Sequence, residues 1–196
     1  VESDWSSASY FYSIVALSEI GTQITLSSFR KNSFQGDAAL AQIYTAFGVE
    51  TVFAGDQITI QKQHEASKAI EFNLNHTPDI AQTIAVTAFA LGLRCHLTGL
   101  HTLQIKETDR LAALQSELTK LGATVTTTQD SLTLEATTTI RPNISIQTYN
   151  DHRMAMAFAP LALKVPLLIE DAGVVSKSYP AFWDDLKKIG FKISEV

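Results

Sequence analysis

A single cysteine, Cys95, leaves no internal disulfide to form, and that usage fits a reducing compartment. It sits in "LGLRCHLTGL", a run that reads as a buried strand, so core packing is the expectation for it rather than nucleophilic chemistry. Structure breakers are also scarce, with 9 Gly and 5 Pro in 196 residues. Low complexity and disorder are thereby excluded, and 45% hydrophobic residues suffice for a real core. Charged residues make up only 18%, with a formal net charge of -5, which argues against a nucleic-acid surface built on bulk electrostatics. Any basic pocket must be local. No apolar run reaches the roughly 18 residues of a membrane span, and the opening lacks the pattern of a secretory leader. The expectation is a cytoplasmic protein with no membrane partner. The 5 His show no His-x-x-x-His spacing, so no metal site is expected. Val1 leads straight into a helix start, as expected of a piece of something longer.

What is present is a repeat. "DWSSASYFYSIVAL" from Asp4, "DIAQTIAVTAFAL" from Asp79 and "DHRMAMAFAPLAL" from Asp151 each set an Asp before a helix of small and apolar residues. They recur about every 75 residues. These helices are apolar on nearly every face, the mark of burial. After each comes a β-rich run ("TQITLSSF", "CHLTGLH", "PLLIEDA"), then a second helix near "QGDAALAQIYTAFG", "ETDRLAALQSELTKLG" or "YPAFWDDLKKIG". Gly48, Gly122 and Gly190 read as the glycines that close those second helices. Leu111, Leu114, Leu118 and Leu121 give the middle one an amphipathic face that should cover the outside. "VETVFAGDQITIQ" and "ATVTTTQDSLTLE" read as β-hairpins, whereas the last copy stops at "FKISEV", half a hairpin. The expected fold is α+β in one domain spanning 1–196. Its three pseudo-symmetric repeats, about 1–75, 76–148 and 149–196, enclose the apolar helices and carry their sheets on the periphery.

The helix starts hold an anomaly. An unpaired set of N–H groups and about half a positive charge sit at a helix N-terminus, where a cation costs roughly 0.3–1 kcal/mol. Asp4, Asp79, Thr108 or Asp109, and Asp151 suit such positions as caps. Arg110, His152, Arg153 and Lys177 do not, and Lys177 precedes "SYPAFW", whose Pro180 suits a first helical turn. If the repeats pack about a common axis, these cations converge, and a bound phosphate or carboxylate would compensate them. The plain alternative pairs each cation with a neighbouring acid, Arg110 with Glu107 or Arg153 with Asp151. Asp79 and Glu107 would lie in the same cluster with Lys106, able in principle to move protons. For Asp79, capping and general-base roles both stay open.

At "IKETDRL" and "YNDHRMAMAFAPLAL" the chain resembles the enolpyruvyl transferases, most of all those that use shikimate 3-phosphate. "SSASYF", "RKNSFQGD", "NHTPDIAQTIA" and "SKSYPAFWDDL" extend the likeness in order along the whole chain. The resemblance implies a two-domain protein, each domain built from three βαβαββ units, of which this chain is most of the later domain. It implies transfer of the carboxyvinyl group of phosphoenolpyruvate to the 5-hydroxyl of shikimate 3-phosphate with release of phosphate, with no metal or organic cofactor. By the same likeness Asp79 contacts the shikimate hydroxyls and accepts a proton, Lys106 holds the shikimate phosphate, and Glu107 lies near the phosphoenolpyruvate methylene. Arg110, Arg153 and Lys177 then hold phosphoenolpyruvate, with His152 in support. Thr102 stands where some members carry Asn. The partners implied are those two substrates and the other domain of the same chain, in a monomer. Two other readings compete: the related transferase acting on a UDP-linked amino sugar, and an anion-binding module with no turnover. One wall of an interdomain cleft is expected to be inactive alone.

Overall fold

A computed structural model describes residues 1–195. Three helices begin the three repeats: α1 (Trp5–Leu17), α3 (Ala81–Ala90) and α5 (His152–Phe158), the last prolonged by a 3-10 turn at Ala159–Leu163. All ten residues of α3 and nearly all of α1 are buried, as their composition requires. α1 packs on α3, α3 on α5, and α1 on the 3-10 turn after α5, so the three helices form a closed central bundle. The hydroxyls buried between them satisfy one another. Ser9 Oγ lies 3.1 Å from Thr83 Oγ1, and Thr87 Oγ1 donates to Ser13 Oγ at 2.8 Å. The many Ser, Thr and Ala of these helices let backbones approach closely, while the buried Gln82 amide of α3 is left without a partner.

Three sheets stand around the bundle. The first orders its strands β1 (Gln23–Ser27), β3 (Gln57–Lys62) and β2 (Val49–Ala54), all antiparallel. The second runs β4 (Ala69–Asn73), β5 (Arg94–Thr98), β7 (Ser131–Leu134), β6 (Val125–Thr127), with β4 parallel to β5. The third is the parallel pair β8 (Ile144–Ile146) and β9 (Leu167–Ile169). The β4-α3-β5 and β8-α5-β9 crossovers make the units βαβ at their starts. Strands β4 and β8 are the leading strands that the βαβαββ likeness implies; residue patterning alone does not mark them, because each takes its place only by pairing with a strand more than twenty residues on.

Helix α4 (Arg110–Lys120) lies outside, burying Leu111, Leu114 and Leu118 as its periodicity predicts. Two second helices depart from expectation. In the first unit the segment breaks into a 3-10 turn (Gly36–Ala39), α2 (Leu40–Ile43) and another 3-10 turn (Tyr44–Phe47). Its start is pinned instead of free to wind. A Cβ on Gly36 would come within 2.4 Å of the His76 carbonyl oxygen, and Asp37 accepts hydrogen bonds from Ser6 and Thr77. In the third unit α6 starts only at Phe182 and runs to Lys188, leaving Pro180 outside. Gly48 closes its turn at φ 76° with the His64 carbonyl where a side chain would be, so only glycine fits there.

Candidate functional site

The starts of α3, α4 and α5 meet at one end of the bundle, and Asp79 is their meeting point. Asp79 is not the cap expected of it. It lies in a 3-10 turn, Pro78–Ile80, and no side chain caps α3. Its carboxylate turns instead toward three cations from three different segments. Lys106 Nζ lies 3.2 Å and Arg110 Nη1 3.0 Å from Oδ1, while Arg153 Nη2 lies 3.3 Å from Oδ2.

Arg110, in the first turn of α4, is 2% exposed and uses each guanidinium nitrogen on a different carboxylate. Nε donates to Asp151 Oδ2 at 2.7 Å, Nη1 to Asp79 at 3.0 Å and Nη2 to Glu107 Oε2 at 2.5 Å. Both neighbouring helix starts are capped locally. Asp109 accepts the Leu111 and Ala112 N–H groups, and Asp151 accepts the Arg153 N–H at 2.8 Å. The anions at these starts thus offset the dipole, and Arg110 is tolerated because three carboxylates surround it. The Arg110–Glu107 pairing expected from proximity is present. Arg153 instead leaves its guanidinium to Asp79, and Asp151 receives only its backbone N–H.

Lys177 does not stand at a helix start. It closes a 3-10 turn, Ala172–Lys177, at the end where a cation is favoured. Its Nζ reaches the Asn150 carbonyl at 3.0 Å and Asn150 Oδ1 at 2.6 Å, one residue from the Asp151 cap. Arg110 and Arg153 therefore share a carboxylate, while Lys177 joins the cluster through the loop that carries Asp151. His152 begins α5 with its Nδ1 buried and unpartnered, 4.0 Å from Asp151 Oδ1. The Thr102 hydroxyl is likewise buried with no partner. Among the described residues no cluster of three or more His, Cys, Asp or Glu is arranged for a metal ion.

Electrostatics follow from this crowding. Burial pushes the Asp79 carboxyl upward, but Arg153, Lys106 and Arg110 outweigh it and hold it below the usual carboxylate range. Glu107 is lowered too: burial raises it, while its own backbone N–H and the charges of Arg110, His152 and Arg153 lower it further. For His152, burial is the largest effect and favours the neutral ring, with Asp151 pulling the other way. Cys95 is buried in β5 and its thiol is pushed up to about 12 by desolvation, as befits core packing.

The sequence reading missed two features of this end of the bundle. Asp151 was seen as a cap, not as a partner of Arg110, since nothing local shows the second oxygen's use. Asp37, with Ser6 and Thr77, ties the first unit to the turn that carries Asp79.

The profile of the family described as EPSP synthase (3-phosphoshikimate 1-carboxyvinyltransferase) matches residues 1–186. The 3-phosphoshikimate 1-carboxyvinyltransferase of Bacteroides fragilis is 42% identical over 196 residues, covering 98% of this chain and 48% of that protein. This chain belongs to the EPSP synthase family. The enzyme of the same name from Aliivibrio fischeri is 39% identical, over 96% of this chain and 43% of its own length. An EPSP synthase structure from Acinetobacter baumannii superimposes with a TM-score of 0.82 at 24% identity, over 99% of this chain and 47% of that one. That last likeness concerns the fold, which is the α+β repeat architecture expected. The chain spans about half the length of the EPSP synthase relatives it matches.

Proposed function

We propose that this chain supplies one wall of an active site that transfers the carboxyvinyl group of phosphoenolpyruvate to the 5-hydroxyl of shikimate 3-phosphate. The observation that carries the reading is Asp79, a carboxylate held ionised among Lys106, Arg110 and Arg153 in a chain of this family. Lys106 takes the phosphate of shikimate 3-phosphate. Arg110, Arg153 and Lys177 take phosphoenolpyruvate, with His152 beside them.

The chemistry needs a proton removed from the 5-hydroxyl and one delivered to the phosphoenolpyruvate methylene. The hydroxyl oxygen bonds to C2, giving a tetrahedral adduct. Loss of phosphate, with a proton leaving the new methyl group, then restores the double bond on the product. Asp79 accepts the hydroxyl proton, and Glu107 serves the methylene carbon. Without substrate Asp79 is a weak base, since three cations favour its charged form. When the two polyanions bind they draw those cations to themselves, and Asp79 regains basicity when the hydroxyl is in place. Arg110 has five N–H donors and three carboxylate bonds, so an anion that displaces a carboxylate, or shares a nitrogen with it, finds a donor there.

The opposite wall comes from the rest of a longer protein, which acts as a monomer in the cytoplasm. Phosphate release by the full-length protein tests the reading. It should appear with phosphoenolpyruvate and shikimate 3-phosphate and be absent with UDP-N-acetylglucosamine as acceptor. Release with the nucleotide sugar, or with neither acceptor, overturns the assignment. The 196 residues alone should release none, because one wall neither excludes water nor orients both substrates.

A further inference from the structure

Seven residues beyond Arg110, two turns along the same face of α4, Glu117 is completely buried. It lies on the leucine side of an amphipathic helix, where an apolar residue would pack without desolvating a charge. The charge is fully used. Oε1 accepts the Tyr149 hydroxyl at 2.7 Å, and Oε2 accepts the Gln147 N–H at 3.1 Å and Lys120 Nζ at 2.7 Å. Helix α4 therefore grips the 147–151 loop at two levels, Glu117 on Gln147 and Tyr149, and Arg110 on Asp151.

Between those two grips the backbone is strained. Tyr149 and Asn150 are consecutive non-glycine residues in the left-handed region, at φ 52° and φ 59°. Such residues persist only where their surroundings force them. Lys177, Arg110 and Arg153, though not Lys106, bond this dipeptide or the residue after it. Asn150 offers its carbonyl and Oδ1 to Lys177, and Asp151, next in sequence, holds Arg110 Nε and the first turn that carries Arg153.

We propose that Glu117 is a positioning residue, its buried carboxylate holding the Tyr149–Asn150 strain so that Asp151 and Asn150 set Arg110, Arg153 and Lys177 for phosphoenolpyruvate. It touches no substrate. This inference rests on the functional reading above for the identity of the ligand, but not for the backbone geometry, and the two are tested separately.

In the full-length protein, Glu117→Leu, Glu117→Gln and Tyr149→Phe are compared with the parent for KM toward each substrate, kcat and thermal midpoint. Gln set with its oxygen toward the Gln147 N–H still accepts there and offers its NH2 to the Tyr149 oxygen, whereas Leu bonds neither. The expected result for Glu117→Leu is a rise of about tenfold or more in KM for phosphoenolpyruvate, with KM for shikimate 3-phosphate within twofold. Glu117→Gln should recover most of that loss. Tyr149→Phe removes one hydrogen bond from the strained residue and should raise KM for phosphoenolpyruvate about threefold with the protein still folded, its thermal midpoint lowered only by the loss of that one bond, so the proposal stays testable if the Leu variant fails to fold. Equal increases in both KM values, or unchanged KM for phosphoenolpyruvate in folded Tyr149→Phe and Glu117→Leu, overturn the proposal. If the parent protein turns over neither substrate, the functional reading fails. The positioning claim is then decided by backbone chemical shifts at 149–150, which should leave the left-handed range in Glu117→Leu and which overturn the claim by remaining there.

Discussion

Replacing Asp151 by Asn isolates the demand the site places on one buried carboxylate. Asp151 is fully buried and serves two donors at once, the Arg153 N–H at 2.8 Å through Oδ1 and Arg110 Nε at 2.7 Å through Oδ2. An amide of the same shape has one acceptor and one donor end. Turned one way, it keeps the α5 cap but points an NH2 group at the Arg110 guanidinium. Turned the other way, it keeps the guanidinium bond and loses the cap. The cap is worth about 1 kcal/mol and the charge-assisted bond about 1.5–3 kcal/mol. Removing one partner of a buried ion pair generally costs about 3–5 kcal/mol. Arg110 keeps Asp79 and Glu107, so the expectation for Asp151→Asn falls at the low end, about 3 kcal/mol. For a chain of this size that is a drop of about 6–12 °C in the thermal midpoint. Urea unfolding gives the free energy directly. Asp4→Asn is the control, since Asp4 caps α1 through the Ser6 N–H without serving a buried cation, and Asn caps as well as Asp. It should lie within about 0.5 kcal/mol of the parent. A loss below about 1 kcal/mol for Asp151→Asn would refute the claim that this carboxylate compensates Arg110.

Four further outcomes follow from the same geometry. His152 is held below its ordinary value of 6.5 by burial, so the unfolded chain binds its proton first as pH falls. Stability should be full above about 6.5 and decline as pH falls from there to the lower native value, a limb that His152→Gln removes and that urea midpoints across pH would reveal. Asp79 and Glu107, lowered from 3.8 and 4.5, add a separate loss at acid pH, below those values, as the pH falls through their native ones. Cys95, buried with its thiol pushed up to about 12, should react with iodoacetamide at pH 8 only as fast as the chain opens, as mass spectrometry over time would show. Lys177→Ala should leave stability within about 0.5 kcal/mol, because the lysine is exposed, yet weaken phosphoenolpyruvate binding by the full-length protein in calorimetry.

How much of this is legible in the sequence depends on the range of the interaction concerned. Helices α1, α3 and α5 could be read because an Asp before an all-apolar run is a local signal, and the hairpin β2–β3 could be read because its turn lies between alternating residues. Strands β4 and β8 could not, since partners far along the chain define them. The convergence of Arg110 and Arg153 was predictable from the repeat. For its agent, Asp79, the sequence leaves capping and general-base roles both open, because the turn at Pro78–Ile80 that redirects its side chain leaves no periodic trace. Lys177 was assigned to a helix start from Pro180, but α6 begins later, and the lysine reaches the site through Asn150. Glu117 had a sequence signal, an acid on the leucine stripe of α4 seven residues past Arg110, whose meaning depends on the strained loop it meets.

The central claim is that Asp79, which three cations keep ionised, takes the hydroxyl proton once substrates draw those cations away. Its most direct test is the turnover of full-length Asp79→Asn with phosphoenolpyruvate and shikimate 3-phosphate, measured as phosphate release at saturating concentrations of both. Loss of a general base costs roughly 10²–10⁴ in rate, and that collapse in kcat, with phosphoenolpyruvate still bound, is the expected result. A kcat within threefold of the parent would contradict it.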